Sequence, residues 1–368
     1  MKRKAAILTF HCVPNYGAVL QAYALQSKLK ELSGGVGIVD YRPERTTSEY
    51  KNINCYSIFS LASSLWSLSS FKRKKKKFSQ FEKEYFNLLP CNECDGSVAL
   101  KDFVPDVLFL GSDQIWNPDI THGFDPVYFG DIQSKDPIRT SAYAASIGKK
   151  NFSEQEKTRF VRLIQKVDNI SVREKDAQKM LEQEFGIESQ VVVDPTILAG
   201  KRCFEPLVKP VPYKKYLLFY SLTGMKEAAA MADKIARYYG YELVEISGRR
   251  KPYITPNHTA IYDAGPNDFI SLFHGAEYVV TDSFHGTVFS LLFHKKFISL
   301  ANPKRGGRIT GLLESVDLQH RCTDRFEREV VLEEIAWDAV DRKIEEMRRE
   351  SVCYLMRVLG EEENAALQ

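Results

Sequence analysis

Long hydrophobic runs are missing: nowhere in the 368 residues do about 18 uninterrupted apolar residues occur, so no segment is expected to cross a bilayer as a helix. An excess of one charge is missing too. With 51 basic and 48 acidic residues the formal net charge is +3, which gives no general reason to expect nucleic acid as a partner. Cysteine is sparse and odd in number, and seven thiols scattered along the chain fit a reducing compartment better than a disulfide framework. The protein is therefore expected in the cytoplasm. Cys91-x-x-Cys94 has no second pair or histidines at ligand spacing, so no metal and no bound cofactor are expected. The basic start "MKRKAAILTFHC" ends its apolar run at His11, too early for the core of a signal peptide, and reads as a buried first strand.

Several catalytic signatures are also absent. There is no Walker loop, no G-x-S-x-G elbow and no H-E-x-x-H helix, and the first strand-to-helix turn lacks the G-x-G-x-x-G spacing of dinucleotide enzymes. An NAD enzyme is disfavoured. What remains is chemistry on an anion.

What the chain does have is a repeated grammar: a short run of Val, Ile, Leu or Phe, then polar and Gly residues, then an amphipathic stretch. That is the pattern of βα units around a parallel sheet. Strands are expected near 5–10, 37–41, 107–110, 140–144, 169–172 and 191–193, then near 216–220, 242–246, 277–280 and 296–300. Helices are expected near 16–32, 154–166, 175–185, 225–239, 266–274, 285–294 and 308–315. Pro206, Pro210 and Pro212 interrupt both periodicities and mark a boundary. The expected fold is α/β, two Rossmann-like doubly wound domains facing a cleft, over 1–205 and 206–325. Leu332, Ala336, Val340, Ile344, Met347 and Leu355 recur at helical spacing and predict a long C-terminal helix within 326–368.

One stretch departs from the grammar. In "SIFSLASSLWSLSSFKRKKKKF", Ile58, Leu61, Leu65 and Leu68 can share one helical face, with Arg73 to Lys77 following. Residues 57–78 can thus read as an interfacial segment attracted to anionic lipid on the inner face of the membrane, or as a helix packed on its domain with solvated lysines.

In open α/β sheets ligands bind beyond the carboxyl ends of the strands, where helix N-termini present unpaired N–H groups. "TDSFHGTVF" fits that placement, with Asp282, Ser283 and His285 after a strand and Gly286 and Thr287 opening a helix. An anion there would meet a helix N-terminus, hydroxyls and an imidazole. Asp282 or Ser283 could equally be only an N-cap. "ANPKRGGRITGLL" brings Lys304, Arg305 and Arg308 around a Gly-Gly pair and reads as a second anion loop. In the other domain Asn15, Tyr16 and Gly17 follow the first strand. "DVLFLGSDQIWNP" delivers Ser112, Asp113, Gln114, Trp116 and Asn117 past another, a set suited to a sugar, with Trp116 equally readable as a core anchor. Ser146, Arg173, Glu174 and Asp194 stand at further strand ends.

Taken in order, "NYGAVLQAYALQ", "LFLGSDQIWNP", "AYAASIG", "SVREKDA", "VVVDPT" and "TDSFHGTVFSLLFHKKFI" resemble the successive motifs of the polysaccharide pyruvyl transferase family, over roughly 5–318. The resemblance implies a GT-B-like pair of domains. It also implies transfer of a pyruvyl group from phosphoenolpyruvate, a co-substrate, to sugar hydroxyls of a cell-surface polysaccharide or its lipid- or nucleotide-linked precursor. On that reading His285 and Asp113 are the catalytic pair. Arg173, Ser283, Gly286, Thr287, Lys304, Arg305 and Arg308 hold the donor anion, and Asn15, Tyr16, Gly17, Ser112, Gln114 and Trp116 line the acceptor site. Ser283 is a departure, since some members carry arginine at that place. It keeps open two alternatives, a GT-B glycosyltransferase using a nucleotide-sugar and a non-catalytic glycan- or nucleotide-binding module.

Overall fold

The structure, a computed structural model, describes residues 2–44, 61–94, 97–100, 103–149, 151–247, 257–301 and 307–361, with the backbone alone at 61–68, 93–94 and 97. The chain divides into two compact units, Met1–Ile53 with Glu82–Ala199 and Glu346–Gln368, and Asn54–Phe81 with Gly200–Glu345. Besides the excursion Asn54–Phe81, it passes from the first to the second at Gly200 and returns inside the C-terminal helix after Glu345.

In the first unit β1 Ala5–Leu8, β2 Val36–Val39, β3 Leu88–Leu89, β4 Val107–Leu110, β5 Arg139–Ala145, β6 Asn169–Val172 and β7 Gln190–Val191 form a sheet in the order β7-β6-β5-β4-β1-β2-β3. Every pairing is parallel. Ala6 stands opposite Gly37 on one side and Leu108 on the other. The sequences "AAIL" and "VLFL" are apolar without alternation because both faces of such a sheet are covered, and all eight side chains are buried. Helix α1 Tyr16–Leu32 starts where Asn15 accepts a hydrogen bond from the Ala18 N–H. Helix α2 Leu61–Tyr85 belongs to the second unit as far as Phe81 and to the first from Glu82. Helix α3 Glu154–Ile164 opens with a Ser153/Glu156 capping box, and α4 Lys175–Phe185 ends on Gly186 at φ +63.

The second unit repeats the plan. Strands β8 Tyr216–Tyr220, β9 Glu242–Ile246, β10 His258–Ile261, β11 Tyr278–Thr281 and β12 Lys296–Ser299 stand in the order β10-β9-β8-β11-β12, again all parallel. Helices α5 Lys226–Tyr239, α6 Pro266–Gly275, α7 Phe284–Leu292 and α8 Gly307–Ser315 accompany them, and α9 Trp337–Leu359 closes the chain. The first half of α9 belongs to this unit, where Asp341 meets His294 at 2.9 Å. Its second half belongs to the first unit: the Tyr354 hydroxyl donates to Ala142 O at 2.8 Å and Ser351 Oγ accepts from Val193 N–H at 3.0 Å.

Each unit is therefore doubly wound, and in each the strand order reverses beside its first strand, between β1 and β4 and between β8 and β11. That reversal is where two neighbouring loops diverge to opposite faces and leave a crevice at the carboxyl edge. Three features among the strands lie outside the expected elements, the first being the two-residue β3. Strand β10 carries only half-buried residues, so it shows no apolar run. Cys91–Cys94, Ser97–Leu100 and Ile132–Gln133 form a small separate sheet whose strands are too short to show a period.

Candidate functional site

In the first unit the reversal point brings together the loops after β1 and β4. The Thr9 hydroxyl donates to Ser112 O at 2.9 Å and itself accepts from Gln21 Nε2 at 2.9 Å, so helix α1 and both loops are tied at one point. Gly111 has φ +111, and a Cβ there would meet Tyr143 O at 2.6 Å, which only glycine avoids. Asp113 follows at φ +71, a left-handed conformation, and Ser146 N–H donates to its carbonyl at 2.9 Å. Gln114 Oε1 accepts from Asn117 Nδ2 at 2.7 Å, and both side chains press on Gly148, where a Cβ would lie 2.0 Å from Gln114 Oε1.

Beside this loop sits a charged knot. The Arg173 side chain is only 2% exposed and donates from Nη1 to Asp194 Oδ2 at 2.7 Å, with Glu174 at 3.3 Å and Asp113 at 4.0 Å. Burial opposes the guanidinium charge, but the carboxylates of Glu174, Asp194 and Asp113 outweigh it and hold the pKa above the ordinary arginine value. Asp194 is bound further by the N–H and hydroxyl of Thr196, at 2.9 and 2.6 Å, and Ser146 Oγ donates to Glu174 at 2.8 Å.

The surroundings of several expected site residues bear on their assignments. Arg173, expected as a donor-anion clamp, has three carboxylates around its guanidinium. Trp116 does not line a sugar site: its ring is 0% exposed, stacks on Phe129 at 5.5 Å and donates Nε1–H to Tyr128 O, which makes it a core anchor. Tyr16, Gly17, Ser112 and Gln114 are likewise buried, so of the acceptor set Asn15 stays half-buried, as does Asp113 of the expected catalytic pair. Asn15 is at the same time the N-cap of α1.

Sequence reading passed over His11 and Asp40 here. Buried His11 sits after β1 with Nε2 3.0 Å from Asp40 Oδ1, and Asp40 follows β2 directly. The hydrogen bond from His11 is the largest cause holding the Asp40 carboxyl below its usual range. Burial pushes the neighbouring Cys12 thiol up to about 11. Position at a strand end was the available signal for all three.

In the second unit the reversal point joins the loops after β8 and β11. Asp282 accepts from Ser221 Oγ at 2.7 Å, Leu222 N–H at 2.7 Å, Thr223 N–H at 3.2 Å and the Thr223 hydroxyl, so it fastens the 221–224 loop. Thr281 Oγ1 donates to Tyr220 O at 2.7 Å, and Gly286 packs so closely that a Cβ would lie 2.3 Å from that oxygen. Ser283 Oγ accepts from Gly286 N–H at 3.3 Å and is the N-cap of α7, while the Thr287 hydroxyl is taken by Ser283 O and Ser299 Oγ. Ser283, Gly286 and Thr287 thus build the helix start. Ser283→Ala is expected to lower stability by about 1 kcal/mol, read as a shift in the urea midpoint.

His285 projects from the first turn of α7, half-buried, its ring edge-on to Phe284 at 5.3 Å. The Arg308 guanidinium lies 6.0 Å from the same Phe284 ring, so Phe284 connects an imidazole and a cation at a helix N-terminus. Lys304 and Arg305 lie outside the described residues. Among the described residues no cluster of His, Cys, Asp and Glu could hold a metal ion.

A family model described as polysaccharide pyruvyl transferase matches residues 15–304. No curated protein matches the sequence. Among solved structures, one assigned as a UDP-N-acetylglucosamine 2-epimerase from Listeria monocytogenes is 12% identical with a TM-score of 0.50, covering 99% of this chain and 98% of that one. The UDP-GlcNAc 2-epimerase from Methanocaldococcus jannaschii is 14% identical with a TM-score of 0.49, covering 95% and 93%. At such identity the Listeria likeness speaks for the fold alone, the GT-B-like plan of two Rossmann-type units in one chain.

Proposed function

We propose, because this chain belongs to the polysaccharide pyruvyl transferase family, that it moves a pyruvyl group from phosphoenolpyruvate onto two hydroxyls of a sugar in a cell-surface polysaccharide or its precursor. The reaction adds a proton to the methylene carbon of the enol and forms a bond from one sugar hydroxyl to the neighbouring carbon. Phosphate then leaves as the second hydroxyl closes the ketal. Both hydroxyl protons are released along the way, so the chemistry needs a proton donor, a base and a place for a trianionic donor.

The observation that supports this reading best is His285 in the first turn of α7, at the strand-order reversal of the second unit and inside the matched stretch. A helix N-terminus, an imidazole and Arg308 near Phe284 together suit a phosphorylated carboxylate. His285 is assigned to hold the donor or protonate its methylene carbon, and Arg308 to meet its charge. In the first unit Asp113 is assigned to orient or deprotonate a sugar hydroxyl, with Asn15 beside the acceptor. Arg173 fixes Asp113 and Glu174 rather than touching the donor. Ser283, in place of an arginine, leaves Arg308 with more of the donor's charge.

The test is thermal unfolding with millimolar phosphoenolpyruvate against a panel of purine and pyrimidine nucleotides. A ligand present at about 100 times its dissociation constant stabilises by about 2.7 kcal/mol, an easily read rise in melting temperature. The expected result is a rise with phosphoenolpyruvate. A rise with a nucleotide and none with phosphoenolpyruvate would overturn the donor assignment and indicate glycosyl transfer.

A further inference from the structure

Helix α2 continues without a break from "LASSLWSLSS" into "FKRKKKKFSQ". Its basic turn is held in one orientation within the second unit. Arg73 Nε donates to Asp263 Oδ2 at 2.5 Å and Lys77 Nζ to Asp268 Oδ2 at 2.7 Å. The Lys77 stem covers Gly265, where a Cβ would come within 2.6 Å of it. Phe78 and Phe81 are buried, and the Lys74 ammonium sits 5.7 Å from the Phe78 ring, with burial pulling its pKa down to about 8. Arg73, Lys74 and Lys77 are therefore spent on the fold.

Lys72, Lys75 and Lys76 are not. All three are exposed, form no ion pair among the described residues, and at spacings of three and four share one side of the helix. Continuing that stripe toward the helix start at the same spacing reaches positions 68, 65 and 61, each of which is leucine in the sequence. One continuous stripe thus reads three leucines and then three lysines.

We propose that this stripe of α2 docks the protein peripherally on an anionic lipid bilayer, the lysines on the headgroups and the leucine positions at the boundary with the acyl chains. Charge complementarity supplies the first half of the argument: the fold leaves these three cations unneutralised side by side, where they repel one another. The leucine positions supply the second, because a soluble polyanion would use the lysines and have no use for an apolar turn in line with them. Among the described residues no helix is long and apolar enough to cross a membrane, so the contact would be a surface one.

The test is cosedimentation of the full chain with phosphatidylcholine vesicles, with and without about a third phosphatidylglycerol. Binding is expected only with phosphatidylglycerol and should weaken as salt is raised. Lys72→Glu/Lys75→Glu/Lys76→Glu is expected to lower the partition coefficient by about 100-fold or more, while the melting temperature stays within experimental scatter. Leu65→Ser, which changes no charge, should also weaken binding. Wild type that ignores phosphatidylglycerol, or a folded triple variant that binds like wild type, would overturn the proposal. So would a Leu65→Ser variant with unchanged vesicle binding alongside equally tight, lysine-dependent binding to heparin, which would reassign the stripe to a soluble polyanion. None of these readings depends on the donor assigned above.

Discussion

His285→Ala protein is expected to fold with an unchanged melting temperature in the absence of ligand and to release phosphate from phosphoenolpyruvate 10²–10⁴-fold more slowly, the usual contribution of a positioned proton donor, about 3–5 kcal/mol of barrier. Stability should survive because the ring projects from the first turn of α7 and is half-buried, while the start of that helix is made by Ser283, Gly286 and Thr287. The stabilisation by phosphoenolpyruvate should fall together with turnover if the imidazole holds the donor, and should persist if it only delivers the proton. Either outcome keeps His285 in the reaction. Near-normal phosphate release by folded His285→Ala protein would remove it, and the donor site would then have to be sought around Arg308.

The architecture was readable from the sequence because parallel strands buried on both faces are written as unbroken apolar runs. "VLFL" and "YLLFY" coincide with β4 and β8, and the helices 16–32 and 175–185 end where Ser33 and Gly186 stop them. Edge elements were not readable. β10 mixes polar and apolar residues because it is covered only in part, and the strands around Cys91 and Ile132 are too short for any period. Position after a strand found the residues near each reversal point but could not sort them by role. Asp282 and Asp113 look alike in sequence. One spends its carboxylate on the 221–224 loop, while the other stays half-buried beside Arg173. Trp116 failed for a related reason: an aromatic after a strand can face a ligand or the core, and only packing against Phe129 and Phe160 decides.

Arg173 is the residue whose surroundings bear most on its role, and its replacement has a large expected effect on stability. Arg173→Met should destabilise the protein by about 3–5 kcal/mol, measured by urea unfolding, because it takes the guanidinium away from the buried Asp194 carboxylate and sets Glu174 and Asp113 against each other without that counter-charge. A donor clamp would behave differently: its loss would abolish turnover and leave the urea midpoint where it was. The double variant Arg173→Met/Asp194→Asn separates the two further. If the knot is structural, removing the stranded charge should recover part of the lost stability, since much of the cost of breaking a buried pair is the penalty on the partner left behind. Additive losses in the double variant would show that the two residues act independently, and a stable but inactive Arg173→Met protein would return the guanidinium to the donor site.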